Sequence, residues 1–123
     1  MDISCKKILK ENKNYYQSFY QYNPDAILSF DLAGIILNGN ESVENLTGYS
    51  IRELRGSRLN SLVIEEIDSN LLHYLLIKAE EGLIENTKVA IRNKSGERVE
   101  LAIQTAPLFV NDDVIGIYGI LKG

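Results

Sequence analysis

The sequence is poor in the residues that build covalent, metallic or membrane-spanning structure. Its 123 residues include one cysteine, one histidine, two prolines and no tryptophan. The single cysteine, Cys5, excludes an internal disulfide and a metal cage made of cysteines. No apolar run reaches the roughly 18 residues of a membrane span, and the polar start MDISCKKILKENKN does not resemble a signal peptide. We therefore predict a cytoplasmic location, no metal site and no membrane insertion by this segment.

Positive charge is also in short supply. Lys and Arg number 13 against 17 Asp and Glu, which gives a formal net charge of −4 and a pI near 5.0. This balance argues against broad binding to nucleic acid or anionic membranes, because such binding needs basic patches. Hydrophobic residues make up 45% of the chain and charged residues 24%, which is typical of a single globular domain.

Catalytic motifs are missing as well. His73 is the only histidine, and nothing in the local sequence places it beside a nucleophile as a hydrolytic triad would require. The chain has no phosphate-binding P-loop and no dinucleotide fingerprint. We therefore predict a non-catalytic domain with no cofactor.

The chain opens with the pattern of an amphipathic helix. Apolar and aromatic side chains recur there at spacings of three and four, and Pro24 ends the pattern. We assign residues 1–22 to an N-terminal flanking helix and residues 23–122 to the domain that follows. Residues 26–38 then predict a tight hairpin, in which the turn DLAG joins AILSF to IIL.

The stretch NLTGYSIREL predicts two short helices joined by a sharp turn. Asn40 is a candidate N-cap of the first helix, and Gly48 suits the left-handed position just past its end. Ser50 and Glu53 have the spacing of a capping box at the start of the second helix, and Gly56 closes it.

The second half predicts one long helix and three strands. The helix spans about 66–81, and its apolar face contains Ile67, Leu71, Leu72, Leu75 and Ala79. Apolar and polar residues alternate in TKVAIRN and RVELAIQT, and VIGIYGILK forms a last strand that is apolar on both faces. Alternating strands with one covered face are typical of an antiparallel sheet, so the pattern favours an α+β fold.

This order of elements resembles the PAS domain, a sensory module of bacterial signalling proteins. The residues that carry the resemblance are NPDAILSFDLAG, Asn40, ENLTGY, REL with Gly56, NKSGE and VIGIYGILKG. It implies a five-stranded antiparallel sheet with helices on one face and a cleft between the two layers. It also implies a piece of a longer protein, attached at its C terminus to a histidine kinase or a diguanylate cyclase/phosphodiesterase.

The implied cleft identifies candidate ligand contacts. An apolar site with a few polar anchors would bind a small organic molecule, whereas a packed core would bind nothing. The candidates that would face the cleft are Phe30, Ile36, Asn40, Leu46, Tyr49, Leu59, Leu62, Val63, Leu72, Leu75, Val89, Ile91, Leu101, Ile103 and Tyr118.

Two cofactors known from PAS domains are disfavoured by particular residues. Haem-binding members use a histidine on the long helix, but His73 lies about 150° from the apolar face, at about 100° per residue. Light-sensing members form a flavin adduct through a cysteine after the short helices, and the corresponding stretch GSRLNSLV contains none. Haem bound through His73 remains an alternative function, beside a small organic ligand.

The aromatic load of the leading helix predicts a homodimer. Aromatic residues are enriched at protein interfaces, and symmetric dimers are the commonest oligomers. The last strand also carries more apolar surface than one core face consumes. The candidate dimer contacts are Tyr15, Tyr16, Phe19, Tyr20 and Ile117.

Overall fold

The computed structural model describes residues 20–123, of which residues 20–22 are helical. Five strands follow the chain: β1 Ala26–Phe30, β2 Ile36–Gly39, β3 Glu85–Arg92, β4 Arg98–Val110 and β5 Asp113–Lys122. Three α-helices lie between β2 and β3: α1 Glu41–Thr47, α2 Ile51–Leu54 and α3 Glu66–Glu80. A 3-10 turn, Leu59–Leu62, connects α2 to α3.

The strands form one antiparallel sheet in the order β2-β1-β5-β4-β3. The last strand in sequence therefore lies at the centre, where it pairs with β1 on one side and with β4 on the other. The β1–β2 hairpin turns where predicted, since the amide of Gly34 donates to the Asp31 carbonyl at 3.0 Å. The predicted α+β fold, with a five-stranded antiparallel sheet, is confirmed.

The helices cover one face of the sheet. Leu72, Leu75 and Ala79 of α3 are buried, as the sequence pattern predicted, and belong to one hydrophobic core with residues of all five strands. The main disagreement is Ile67, which was placed on this face but is 67% exposed. The Asp68 carboxylate accepts from the Ala90 amide at 2.9 Å and fixes the first turn against β3, so Ile67 points to solvent.

The predicted helix ends are confirmed. The Asn40 side chain caps α1, and Gly48 ends it with φ 77°, in the left-handed region that glycine adopts without strain. Both hydrogen bonds of the Ser50–Glu53 capping box are present. Because these signals depend on neighbouring residues only, they can be recognised in the sequence alone.

The segment between α2 and α3 bonds to both edge strands of the sheet, β2 and β3. The amide of Ile36 in β2 donates to the Ser57 carbonyl, and the Gly56 amide donates back to Ile36, both at 2.9 Å. At the other edge the Ile64 amide donates to the Ala90 carbonyl of β3 at 3.1 Å. Bonding of this kind hinders pairing with a further strand at these positions.

Candidate functional site

The residues predicted to face a cleft lie mostly in the hydrophobic core. Ten of them are no more than 4% exposed: Phe30, Ile36, Asn40, Leu59, Leu72, Leu75, Val89, Ile91, Leu101 and Ile103. Four more, Leu46, Tyr49, Leu62 and Val63, are partly buried and pack against the same core. The helices and the sheet therefore meet through side-chain packing at these positions.

Tyr118 is the exception, because it lies on the opposite face of the sheet. Its neighbours Ile117 and Leu121 belong to the core, and alternate residues of a strand point to opposite faces. In the sheet, Tyr118 lies opposite Ser29 of β1 and Ala106 of β4, and all three side chains are on the face away from α3. Its assignment to the cleft was wrong.

The buried polar groups of the core are paired within the protein. The Thr105 hydroxyl donates to the Leu75 carbonyl of α3 at 3.2 Å. The Thr47 hydroxyl donates to the Val43 carbonyl at 2.8 Å and accepts from the Tyr49 amide at 3.2 Å. These bonds fasten α1 and α3 in place rather than presenting anchors to a ligand.

Asn40 joins three segments of the chain through one fully buried side chain. Its Nδ2 donates to the Tyr20 carbonyl at 2.8 Å and to the Asp25 carbonyl at 2.9 Å. Its Oδ1 accepts from the Ile27 amide at 3.0 Å and from the Val43 amide at 3.3 Å. An amide side chain has two donors and one carbonyl with two lone pairs, so its capacity is fully used.

The end of β5 lies beside the Asn40 junction. We call this whole region the terminal corner and define it as residues 20–25, Asn40, α1 and residues 121–123. Lys122 lies 3.7 Å from the Asp25 carboxylate. A β-carbon added at Gly123 would lie 3.1 Å from Leu46 of α1. The Ser42 hydroxyl of α1 donates to the Asn23 carbonyl, so the residues just before β1 and just after β5 both lie against α1.

The Tyr20 hydroxyl is a buried polar group without a hydrogen bond to the sheet. It has no hydrogen-bond partner within bonding geometry among the described residues. Burial raises the pKa of the Tyr20 hydroxyl, which the nearby Ser29 hydroxyl and the Arg55 cation partly oppose. The remaining predicted dimer contacts divide into two groups: Tyr15, Tyr16 and Phe19 lie outside the described residues, and Ile117 is fully buried in the core. Ile117 therefore cannot contact a partner in this arrangement.

His73 is exposed on α3, as the helical wheel predicted. It lines a groove of about 490 Å³ between α3 and the β1–β2 turn, with Leu32, Arg58 and Glu80 among its neighbours. Within residues 20–123 there is no group of three or more His, Cys, Asp or Glu side chains that could hold a metal ion. In the same range no helix is long and apolar enough to cross a membrane.

The architecture is that of a small α+β domain with helices on one face of a five-stranded antiparallel sheet, and comparison with known proteins identifies the family. The model of the PAS fold family matches residues 14–122. The chain therefore belongs to the PAS family. No match is found among curated proteins.

Solved structures agree with this assignment. The chain is 27% identical to the PAS domain of a protein from Colwellia psychrerythraea, with a TM-score of 0.77 and coverage of 94% of this chain and 95% of that one. A domain of a sensory box sensor histidine kinase/response regulator from Geobacter sulfurreducens is 20% identical, with a TM-score of 0.79 and coverage of 94% and 96%. The PAS domain of an HTR-like protein from Haloarcula marismortui is 15% identical, with a TM-score of 0.80 and coverage of 98% of both chains.

Sequence reasoning identified Asn40 as a helix cap but missed its role as a junction. The signal was present, because an asparagine that caps a helix directly after a hairpin has two further donors to place. The contacts with residues 20 and 25 depend on how distant segments approach one another, which local patterns do not reveal.

Proposed function

We propose that this chain is a non-catalytic sensory and interaction domain of a bacterial signalling protein. Membership of the PAS family supports a sensory role, and one similar structure is a domain of a sensor histidine kinase/response regulator. The proposed location is the cytoplasm and the proposed assembly is a homodimer. The proposed output is an effector attached after residue 123, either a histidine kinase or a diguanylate cyclase/phosphodiesterase.

The observation that carries this proposal is the terminal corner. The centre of the sheet and the helical layer both reach it, because β5 ends there against α1 and Asn40 ties α1 to β1 and to residue 20. A shift of α1 would therefore move the strand that leads to the effector. A signal needs only to favour one of two arrangements of this corner by different affinity for the two.

A packed inner core disfavours the alternative of a small organic ligand between the layers. The candidate contacts are buried against one another, and Asn40 has no hydrogen-bonding capacity left for a ligand. The alternative of haem bound through His73 is weaker still, since that side chain points away from the core. We therefore favour a relay that works through packing.

The relay can be tested with Leu46→Ala in the complete signalling protein, measuring effector activity. Leu46 is half-buried and touches the end of β5, so we expect effector activity to change by about threefold or more, in either direction. Leu83→Ala is the matched control, because Leu83 is an exposed leucine just before β3, and it should leave activity unchanged. Equal activity of the Leu46→Ala protein and the unmodified protein, with both folded by circular dichroism, would refute the relay.

A further inference from the structure

The face of the sheet away from the helices carries a concavity of about 470 Å³ that is lined by charged side chains of both signs. Cross-strand pairing places Lys88 of β3, Ala102 of β4 and Lys122 of β5 in one row across this face. The next row pairs Ala90 with Glu100. Two alanines therefore form a low floor, and longer side chains from three strands rise around it.

Three cations line this concavity: Lys88, Lys122 and Arg98. Neighbouring strands lie about 4.8 Å apart, so the backbones of Lys88 and Lys122 are about 10 Å from each other. Arg98 lies four residues along β4 from Ala102, a distance of about 13 Å. At these separations an anion with a single charged group would contact one of the three side chains, whereas an anion with two or more charged groups could contact several of them.

Two carboxylates also line the concavity, so the cations of the lining exceed its acidic groups by one. Asp68 is committed to the Ala90 amide at 2.9 Å. The Glu100 side chain is 81% exposed and lies 3.8 Å from Arg98. Glu100 is thus the highly exposed carboxylate of the lining, where it would repel an incoming anion.

The ion pairs that hold these cations are loose. Glu65 lies 3.6 Å from Arg98, and Asp25 lies 3.7 Å from Lys122, with all four side chains more than two-fifths exposed. Exposed pairs of this kind contribute little, so a multivalent anion can displace the carboxylates. Among the described residues, Lys88 makes no ion pair at all.

From these observations we propose that the outer face of the sheet binds a small multivalent anion over Ala90 and Ala102, held by Lys88, Lys122 and Arg98. The ligand class is a polyphosphate or a polycarboxylate, since both offer several charged oxygens to these side chains. The volume lies within the range of small-molecule sites. Lys122 belongs both to this site and to the terminal corner, but the site is tested by binding and the relay by effector activity, so either can fail without the other.

The test is a titration of the folded chain with pyrophosphate and, separately, with citrate, followed by amide NMR at constant ionic strength. We expect saturable shifts of the Ala90 and Ala102 amides, and the anion that binds more tightly identifies the ligand class as phosphate or carboxylate. Lys88→Gln and Lys122→Gln should each weaken binding by about fivefold or more, since a charge-assisted hydrogen bond is lost. Glu100→Gln should strengthen binding, because it removes the highly exposed carboxylate of the lining.

The matched control is Lys94→Gln, which changes net charge by the same amount at an exposed lysine paired with Glu53 on the β3–β4 hairpin. It should leave the affinity within about twofold of the unmodified chain. Equal weakening by Lys88→Gln and Lys94→Gln would mean non-specific attraction and would overturn the proposal. So would the absence of saturable shifts with both anions, or weaker binding by Glu100→Gln.

Discussion

At the scale of single residues, the one side chain of Asn40 makes four hydrogen bonds to the main chain. Two carbonyls and two amides of the main chain bond to its side chain, and the Val43 amide also donates to the Asn40 main-chain carbonyl at 3.1 Å. A buried polar group left without a partner costs about 1–3 kcal/mol, and the groups around Asn40 are coupled through one amide. This residue therefore contributes to stability well beyond the contribution of an ordinary helix cap.

We expect Asn40→Ala to lower the free energy of unfolding by about 3 kcal/mol, because it removes the side-chain partner of the Tyr20 and Asp25 carbonyls and of the Ile27 amide. Urea denaturation measures the change. Asn38→Ala is the control, since the Asn38 side chain is exposed and its one hydrogen bond among the described residues is accepted from the Arg55 guanidinium at 3.1 Å. Its cost should stay below about 0.5 kcal/mol. Asn40→Asp should be nearly as damaging at neutral pH, since a carboxylate cannot donate to the Tyr20 and Asp25 carbonyls. Equal costs for Asn40→Ala and Asn38→Ala would contradict the junction.

At the scale of elements, α2 connects the first short helix to the far hairpin of the sheet. The Glu44 carboxylate of α1 accepts from the Ile51 amide at 3.0 Å. Lys94 of the β3–β4 hairpin reaches both Glu53 oxygens at 2.9 Å, and its amide donates to the Thr47 carbonyl at 2.9 Å. Helices too short to be stable alone are thus fixed by contacts at both ends.

The Lys94 contact predicts a dependence of stability on pH. The hydrogen bond from Lys94 is the largest cause that lowers the pKa of Glu53, followed by the bond from the Ser50 amide. A carboxyl with a lowered pKa in the folded state stabilises the fold above its unfolded pKa, and this contribution is lost as pH falls through the folded value. Glu53→Gln keeps the capping box but removes the charge. The free energy of unfolding of this variant should therefore be lower than that of the unmodified chain at neutral pH, and the difference should shrink as the pH falls.

Urea denaturation at pH 7, 5 and 3 checks this expectation. Glu97→Gln, at an exposed carboxylate on the same hairpin for which no ion pair is formed among residues 20–123, serves as the control. A Glu53→Gln deficit of the same size at all three pH values would show that the ion pair contributes no pH-dependent stability.

Elements were predictable from the sequence to the extent that local chemistry defines them. The caps at Gly48 and Ser50 and the alternating strands β3 and β4 rest on residues close together in the chain, and all are confirmed. Ile67 and Tyr118 were placed wrongly because their positions depend on distant contacts. A hydrogen bond to β3 orients the first turn of α3, and this contact decides the position of Ile67. The outward face of β5 is as apolar as its inward face, so periodicity alone could not tell which face carries Tyr118.

At the scale of the whole molecule, the two ends of the sheet differ in character. The terminal corner is closed by hydrogen bonds, whereas the opposite end exposes Phe109, Val110 and Ile115 around the β4–β5 turn. Exposed apolar patches often mark interaction surfaces. The turn itself carries Asp112 and Asp113, however, so two copies meeting there would bring like charges together. Assembly of a homodimer through this end is therefore disfavoured.

We predict instead that a homodimer depends on the leading sequence, whose aromatic residues include Tyr15, Tyr16 and Phe19. Deleting residues 1–19 should convert the dimer to a monomer in light scattering coupled to size-exclusion chromatography, because the buried Ile117 offers no alternative contact. Phe109→Ser, at the apolar end, is the control and should leave the dimer intact. Retention of the dimer after the deletion, together with its loss in Phe109→Ser, would place the interface at the β4–β5 turn and show that the acidic side chains there do not prevent association.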